Sequence, residues 1–219
     1  MDNLEIKKFL MALSKNNNKE WMADNRQWYN EVMDQWFGQV QLILDRLSKH
    51  NPYFATVEPK STAHRINNNR MFNKDLPLYK DHISCVFAGT KNIRHSSFYM
   101  VLGIEQQYLG GGMYRVDKDS LLKIRKVISA EGDRFNEIIN NDKFQRFYNG
   151  LVPDEQQLSR VPKGFEKEHP YAQYLKRKSF TVRRSFSDSE FSELGFADLA
   201  ESAYIHFQQL DAFFVEALQ

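Results

Sequence analysis

Cysteine is nearly absent from this chain of 219 residues: the single Cys85 rules out an internal disulfide. It sits in Ile83-Ser84-Cys85-Val86-Phe87, an apolar setting that reads as a buried strand rather than a nucleophile's surroundings. No apolar run approaches the length that would span a bilayer. The N-terminus lacks a basic segment followed by an apolar stretch, so no secretory signal is expected. These absences predict a soluble, cytoplasmic protein with no membrane partner. Catalytic signatures are missing too. There is no Walker loop, dinucleotide fingerprint, His-Glu-x-x-His, Cys-x-x-Cys or Gly-x-Ser-x-Gly. The six histidines show no paired ligand spacing, so neither metal nor cofactor is expected.

Aromatic side chains are plentiful. Seventeen Phe and ten Tyr, within a hydrophobic content of 42%, can build an aromatic-rich core. Charge is nearly balanced overall at +2 but unevenly spread. Residues 60–95 carry seven Lys/Arg against two Asp/Glu, and residues 160–184 carry eight against two. Residues 187–219 carry seven acids and no Lys or Arg. Either the basic blocks meet an anionic partner, or the acidic tail docks on them.

The spacing predicts a helix with Ile6, Phe9, Leu10 and Leu13 on one face, capped by Asn3 and ended at Asn16-Asn17-Asn18. A long helix then carries Trp21, Asn25, Trp28, Val32, Trp36, Val40, Ile43 and Leu47 to Asn51-Pro52, with the three Trp in the core. Strands are expected at Ser61–Ile66, Ile83–Ala88 and Ser97–Ile104, with an antiparallel return through Gly89-Thr90-Lys91-Asn92. Gln106–Leu109 leads to Gly110-Gly111-Gly112, which reads as a tight turn or bulge rather than a phosphate loop. Asp117 and Asp119 at the next helix start would cap that helix and repel phosphate. Helical stripes follow to Gly150. Glu166–Lys178 reads as a helix, Phe180–Phe186 as a short basic strand, and Ser187/Glu190 as a capping box before the last helix. The expected architecture is a single α+β domain over residues 1–219. A central antiparallel sheet (about 60–116) lies between N-terminal helices (3–50) and C-terminal helices (about 119–219).

Three motifs resemble the family known as domain of unknown function 2461. The first runs from Arg65-Ile66 through Phe72-Asn73-Lys74-Asp75 to Tyr79-Lys80 and His82. The second is Gly110-Gly111-Gly112-Met113-Tyr114 with the Leu121–Arg125 helix. The third joins Pro162-Lys163-Gly164-Phe165 to His169-Pro170 and Leu175-Lys176. Trp21, Asn25-Arg26 and Tyr29 fit as well. The family's usual acidic residue in the first motif is Asn69 here, and its second Arg is Met71. The resemblance implies a fold and a site region, not a reaction.

The densest chemistry lies in the first motif. Arg65, Arg70, Lys74 and Lys80 surround Phe72 and Tyr79, and Tyr114 and Arg115 are expected to join them in one basic, aromatic cleft. Arg grips carboxylate or phosphate with two parallel bonds, Lys adds a point charge, and Tyr can stack or donate. Lys163 is a further candidate. The expected partner is an anionic small molecule or a nucleic acid. Two alternatives stay open. One is an enzyme acting on such a ligand, with Tyr79, Asp75 or His82 moving protons. The other is a structural protein whose cations pair internally with Asp75, Asp81 and Asp117. His64, His82 and His95 stand near expected strand ends and read as ordinary histidines.

Overall fold

A computed structural model describes residues 4–87 and 97–219. The cap at Asn3, the return at Gly89–Asn92, Ala88 and His95 lie outside the described residues.

The fold is α+β with an open antiparallel sheet, as expected. Helices α1 (Leu4–Lys15), α2 (Lys19–Asp24), α3 (Arg26–Leu47) and α4 (Pro59–Thr62) precede strands β1 (His82–Val86), β2 (Ser97–Gly103) and β3 (Gln107–Met113). Helices α5 (Lys118–Ala130), α6 (Gly132–Asn140), α7 (Asp142–Tyr148) and α8 (Ala172–Leu175) follow. The chain closes with β4 (Phe180–Ser185) and α9 (Asp188–Leu218). The sheet order is β1-β2-β3-β4. In the first pair, Ile83 faces Leu102, Ser84 faces Val101 and Cys85 faces Met100. Ile83, Cys85, Met100 and Leu102 are all buried, while His82 and Ser84 alternate to the other, half-open face. Burial pushes the Cys85 thiol far up, which keeps it protonated and inert.

The described residues gather into two compact units. The first holds residues up to 87, 99–109 and 185–202; the second holds 97–98, 110–184 and 203–219. In the first, Trp36 is fully buried and meets Phe196 edge-on at 6.0 Å. Trp21 and Trp28 are only half-buried and pack around Phe9, so just one of the three Trp lies wholly in the core. Lys7 pairs with Asp188 at 2.5 Å, and Arg46 with Asp198 and Glu201 at 3.0 Å each. In the second, Phe135, Phe180, Phe213 and Phe214 form a buried cluster, with Phe135 and Phe213 centroids 5.0 Å apart. There Glu216 pairs with Arg134 at 2.5 Å. These acids of the last helix thus pair with Lys7, Arg46 and Arg134, which lie outside the two basic blocks.

Local chemistry explains where the expected elements change. The long N-terminal helix divides at Asn25, whose side chain donates to the Trp21 carbonyl at 2.9 Å and closes α2. The first expected strand, Ser61–Ile66, is replaced by the short turn of α4. Pro59 opens it, and the Ser61 and Thr62 hydroxyls donate to the carbonyls of Glu58 and Pro59 at 2.7 Å each. Only an isolated bridge, Ala63 to Cys85, remains of that strand. The expected helix over Glu166–Lys178 shrinks to α8. Pro170 has no N–H to offer, and the Tyr171 N–H goes to His169 Nδ1 at 3.1 Å. The capping box is present: the Glu190 N–H donates to Ser187 Oγ at 3.2 Å, and the Ser187 N–H to the Glu190 carboxylate at 2.8 Å.

Gly110-Gly111-Gly112 is not a turn; all three lie inside β3. Close approach requires Gly111 and Gly112. A Cβ on Gly111 would fall 2.6 Å from the Phe207 ring, and one on Gly112 would fall 2.1 Å from the Phe180 carbonyl oxygen. Gly112 also has φ of +116°, which side chains rarely adopt. Gly111→Ala should cost about 1–3 kcal/mol, the range for overpacking, and Gly112→Ala at least as much, since backbone cannot yield like a ring. Gly38→Ala, in open space on α3, should instead stabilise by about 0.5–1 kcal/mol. Urea unfolding of the three variants checks the opposite signs.

Candidate functional site

Residues 66–80 form an irregular hairpin in the first unit. Its legs pair at Asn67 and Tyr79. The Asn68 N–H donates to the Leu78 carbonyl at 3.0 Å, and the Lys80 N–H to the Ile66 carbonyl at 2.8 Å. The Asn run supplies the turn chemistry. Asn68 donates its side-chain amide to the Pro77 carbonyl at 2.9 Å. Asn69 Oδ1 accepts from the Met71 N–H at 3.1 Å, and Asn73 Oδ1 from the Asp75 N–H at 3.0 Å. The Arg70 guanidinium donates to the Lys74 carbonyl through Nε at 3.1 Å and also through Nη2.

A residue outside the hairpin holds it. Asn17 Oδ1 accepts from the Tyr79 N–H at 2.8 Å, and Asn17 Nδ2 donates to the Tyr79 carbonyl at 3.0 Å. One carboxamide thereby satisfies both backbone groups of Tyr79, as a neighbouring strand would. Sequence reasoning gave Asn17 only the role of stopping α1. An Asn run after a helix carries no signal that one of its amides will reach a residue 62 positions on.

At the hairpin's base, Lys80 Nζ donates to the Arg65 carbonyl at 2.7 Å, and burial lowers the Lys80 pKa. His64 Nδ1 lies 3.2 Å from Ser84 Oγ, and the His64 N–H donates to the Ser84 carbonyl at 3.0 Å. The His64 side chain remains exposed overall, yet desolvation of its ring beside Ser84 lowers its pKa first, followed by the charges of Lys80 and His82. The nearby carboxylate of Asp81 bonds His82 Nδ1 at 2.8 Å. Among the described residues, no carboxylate pairs with Arg65, Arg70, Lys74 or Lys80. Within this unit, the internal network with Asp75 and Asp81 is therefore not formed among the described residues.

Of the expected site residues, Arg70, Lys74, Tyr79 and Lys80 belong to this hairpin, and Arg65 immediately precedes it. The three cations Arg65, Arg70 and Lys74 are exposed and Lys80 is half-buried. Tyr79 is only 7% exposed, so it supports the hairpin from beneath rather than offering a free stacking face. Tyr114 and Arg115 belong to the second unit. Tyr114 is 67% exposed, with the Arg115 guanidinium 5.2 Å from its ring centroid. The Arg115 backbone, at φ of +47°, donates to Ser179 Oγ at 3.0 Å. Asp117 caps α5 by accepting from the Asp119 and Ser120 N–H groups at 3.1 and 3.0 Å, closing that helix end to phosphate. Lys163 is exposed in the second unit. Among the described residues, no group of three or more His, Cys, Asp or Glu could hold a metal ion.

The family described as "Conserved hypothetical protein (DUF2461)" matches residues 5–213. The chain belongs to this family. No curated protein and no solved structure matches it. The DUF2461 match takes in Asn17, the whole hairpin and His64–Ser84, and its description names no reaction.

Two measurements test this geometry. Asn17→Ala should lower stability by about 1–3 kcal/mol, because it strands a largely buried N–H and C=O, and Asn17→Asp should not rescue it, since its second carboxylate oxygen would face the Tyr79 carbonyl with no proton to donate. His64 gives a pH signature. Its folded pKa lies below the ordinary value, so the unfolded chain binds that proton first as pH falls. Stability should be unaffected above the ordinary histidine range and should drop as pH falls from there to the depressed value. His64→Asn should flatten that part of the stability curve, read by urea unfolding across pH.

Proposed function

We propose that the chain binds an anionic, phosphate-bearing ligand on the basic hairpin, with Arg65 and Lys80 as principal contacts and His64 beside them. The observation that carries this reading is the set of four cations with no described carboxylate partner, while Asp81 is engaged by His82. Like charges held together raise the local potential, and an anion between them relieves the repulsion. An Arg fork and a Lys ammonium together suit a phosphate group.

A second reading, an enzyme acting on such a ligand, draws on the Asp81–His82 pair, 2.8 Å apart beside the cations. A His oriented by a carboxylate is a competent proton carrier. Asp75 is exposed on the loop, whereas Tyr79 is buried and less suited to that role. Asn69, at the family's usual acidic position, accepts a loop N–H and carries no charge.

A thermal-shift screen of nucleotides, sugar phosphates and oligonucleotides at two salt concentrations tests binding. Arg65→Ala should weaken the effective anion about tenfold or more, matching roughly 1.5–3 kcal/mol for a hydrogen bond to a charged group. Steep salt dependence marks a nucleic acid and shallow dependence a compact metabolite. Binding should also raise the His64 pKa, seen as an upward shift of its imidazole titration by NMR. Failure of every anion to raise the melting temperature, or equal shifts in wild type and variant, refutes the reading.

A further inference from the structure

The tip of the hairpin carries a feature that anion binding at its base does not use. Met71 is 75% exposed and Phe72 91% exposed, adjacent in sequence, with Leu76 at 37%. Leaving a Phe ring in water forgoes burial that ordinarily favours folding. The tip is nevertheless firmly tied. Asn69, Asn73 and Arg70 all direct their polar groups to backbone atoms of the loop itself. The apolar pair is what the loop leaves to solvent. Cations stand on either side of it: Arg70 before and Lys74 after, with Arg65 and Lys80 at the base. Asp75 is the one acid against these four from Arg65 to Lys80.

We propose that this tip is an interfacial anchor, in which Met71 and Phe72 enter the acyl boundary of an anionic bilayer while Arg70 and Lys74 meet lipid phosphates. An apolar pair flanked by cations matches the two layers of such a surface, apolar beneath and anionic above. The long stems of Arg and Lys can lie along the boundary with their charges in the headgroups. A single-stranded nucleic acid would stack on Phe72 but gains little from the thioether chain of Met71, which has no π-face. A protein groove could accept the apolar pair but does not require cations on both sides. Because the tip is ordered by its own hydrogen bonds, docking adds little ordering cost. Among the described residues no helix is long and apolar enough to cross a membrane, which leaves attachment to its surface open. The sequence expectation of no membrane partner rested on run length, which cannot detect a two-residue wedge.

The proposal rests on the exposed Met71 and Phe72, whereas the anion reading has its principal contacts, Arg65 and Lys80, at the base of the hairpin. The test is sedimentation of the full chain with vesicles of phosphatidylcholine alone and with vesicles containing about one part in three of phosphatidylglycerol. The chain should partition onto the anionic vesicles, and Phe72→Ser should weaken this about tenfold or more, as loss of one buried Phe side chain implies. Met71→Ser, Lys74→Gln and added salt should each weaken it further. Melting temperatures should stay at the wild-type value, because all three side chains stand in solvent. No partition onto anionic vesicles overturns the proposal. So does full binding by Phe72→Ser, which would mean adsorption by charge alone. Retention by a single-stranded oligonucleotide but not by vesicles, lost in Phe72→Ser, would make the tip a stacking platform instead. Soluble anions should shift Phe72→Ser as they shift wild type, so the two readings fail separately.

Discussion

The carboxamide of Asn17, set between α1 and α2, takes both backbone hydrogen bonds of Tyr79 and so ties the basic hairpin to the N-terminal helices. A chain bearing four cations on a short loop would tend to splay, since like charges repel and the loop buries little surface. The Asn17 clasp and the legs' pairing oppose that tendency at the hairpin's base. Buried Ile66 and Tyr79 add apolar contact there. Everything above the base, including the turns at Asn69 and Asn73, starts from this fixed point.

Electrostatics then divide the molecule's charges into two kinds. Acids of the last helix pair with Lys7, Arg46 and Arg134, within partly exposed contacts where each pair contributes about 0–1 kcal/mol. The packing of Trp36 on Phe196 and of the four-Phe cluster does more to hold those segments than the ion pairs do. Among the described residues, the hairpin cations are not drawn into such pairs.

Much of this was legible in the chain. Helical and alternating apolar spacing located α1, α5, α9, β1, β2 and β4, because burial on one face imposes a period that the sequence carries. The density of Arg and Lys in residues 65–80 marked the hairpin, and the capping box at Ser187 and Glu190 formed as its spacing indicated. Other features were not legible. The triple glycine has turn composition, yet lies in β3 because Phe207 and Phe180 approach it from distant positions. The Ser61–Ile66 segment has strand-like residues, yet side-chain hydroxyls wind its start into α4.

By itself, the sequence determined the class of fold, the aromatic core and which loop would carry the cations. These follow from local period and composition, which each segment possesses alone. Tertiary structure decided which cations lack partners, that Tyr79 lies beneath the loop rather than upon it, and that Met71 and Phe72 remain in water. It also decided that Asn17 would serve the hairpin and that His64 would sit beside Lys80 and Ser84. Those outcomes depend on which side chains from distant segments come within a few ångströms of one another, and no local spacing encodes that distance.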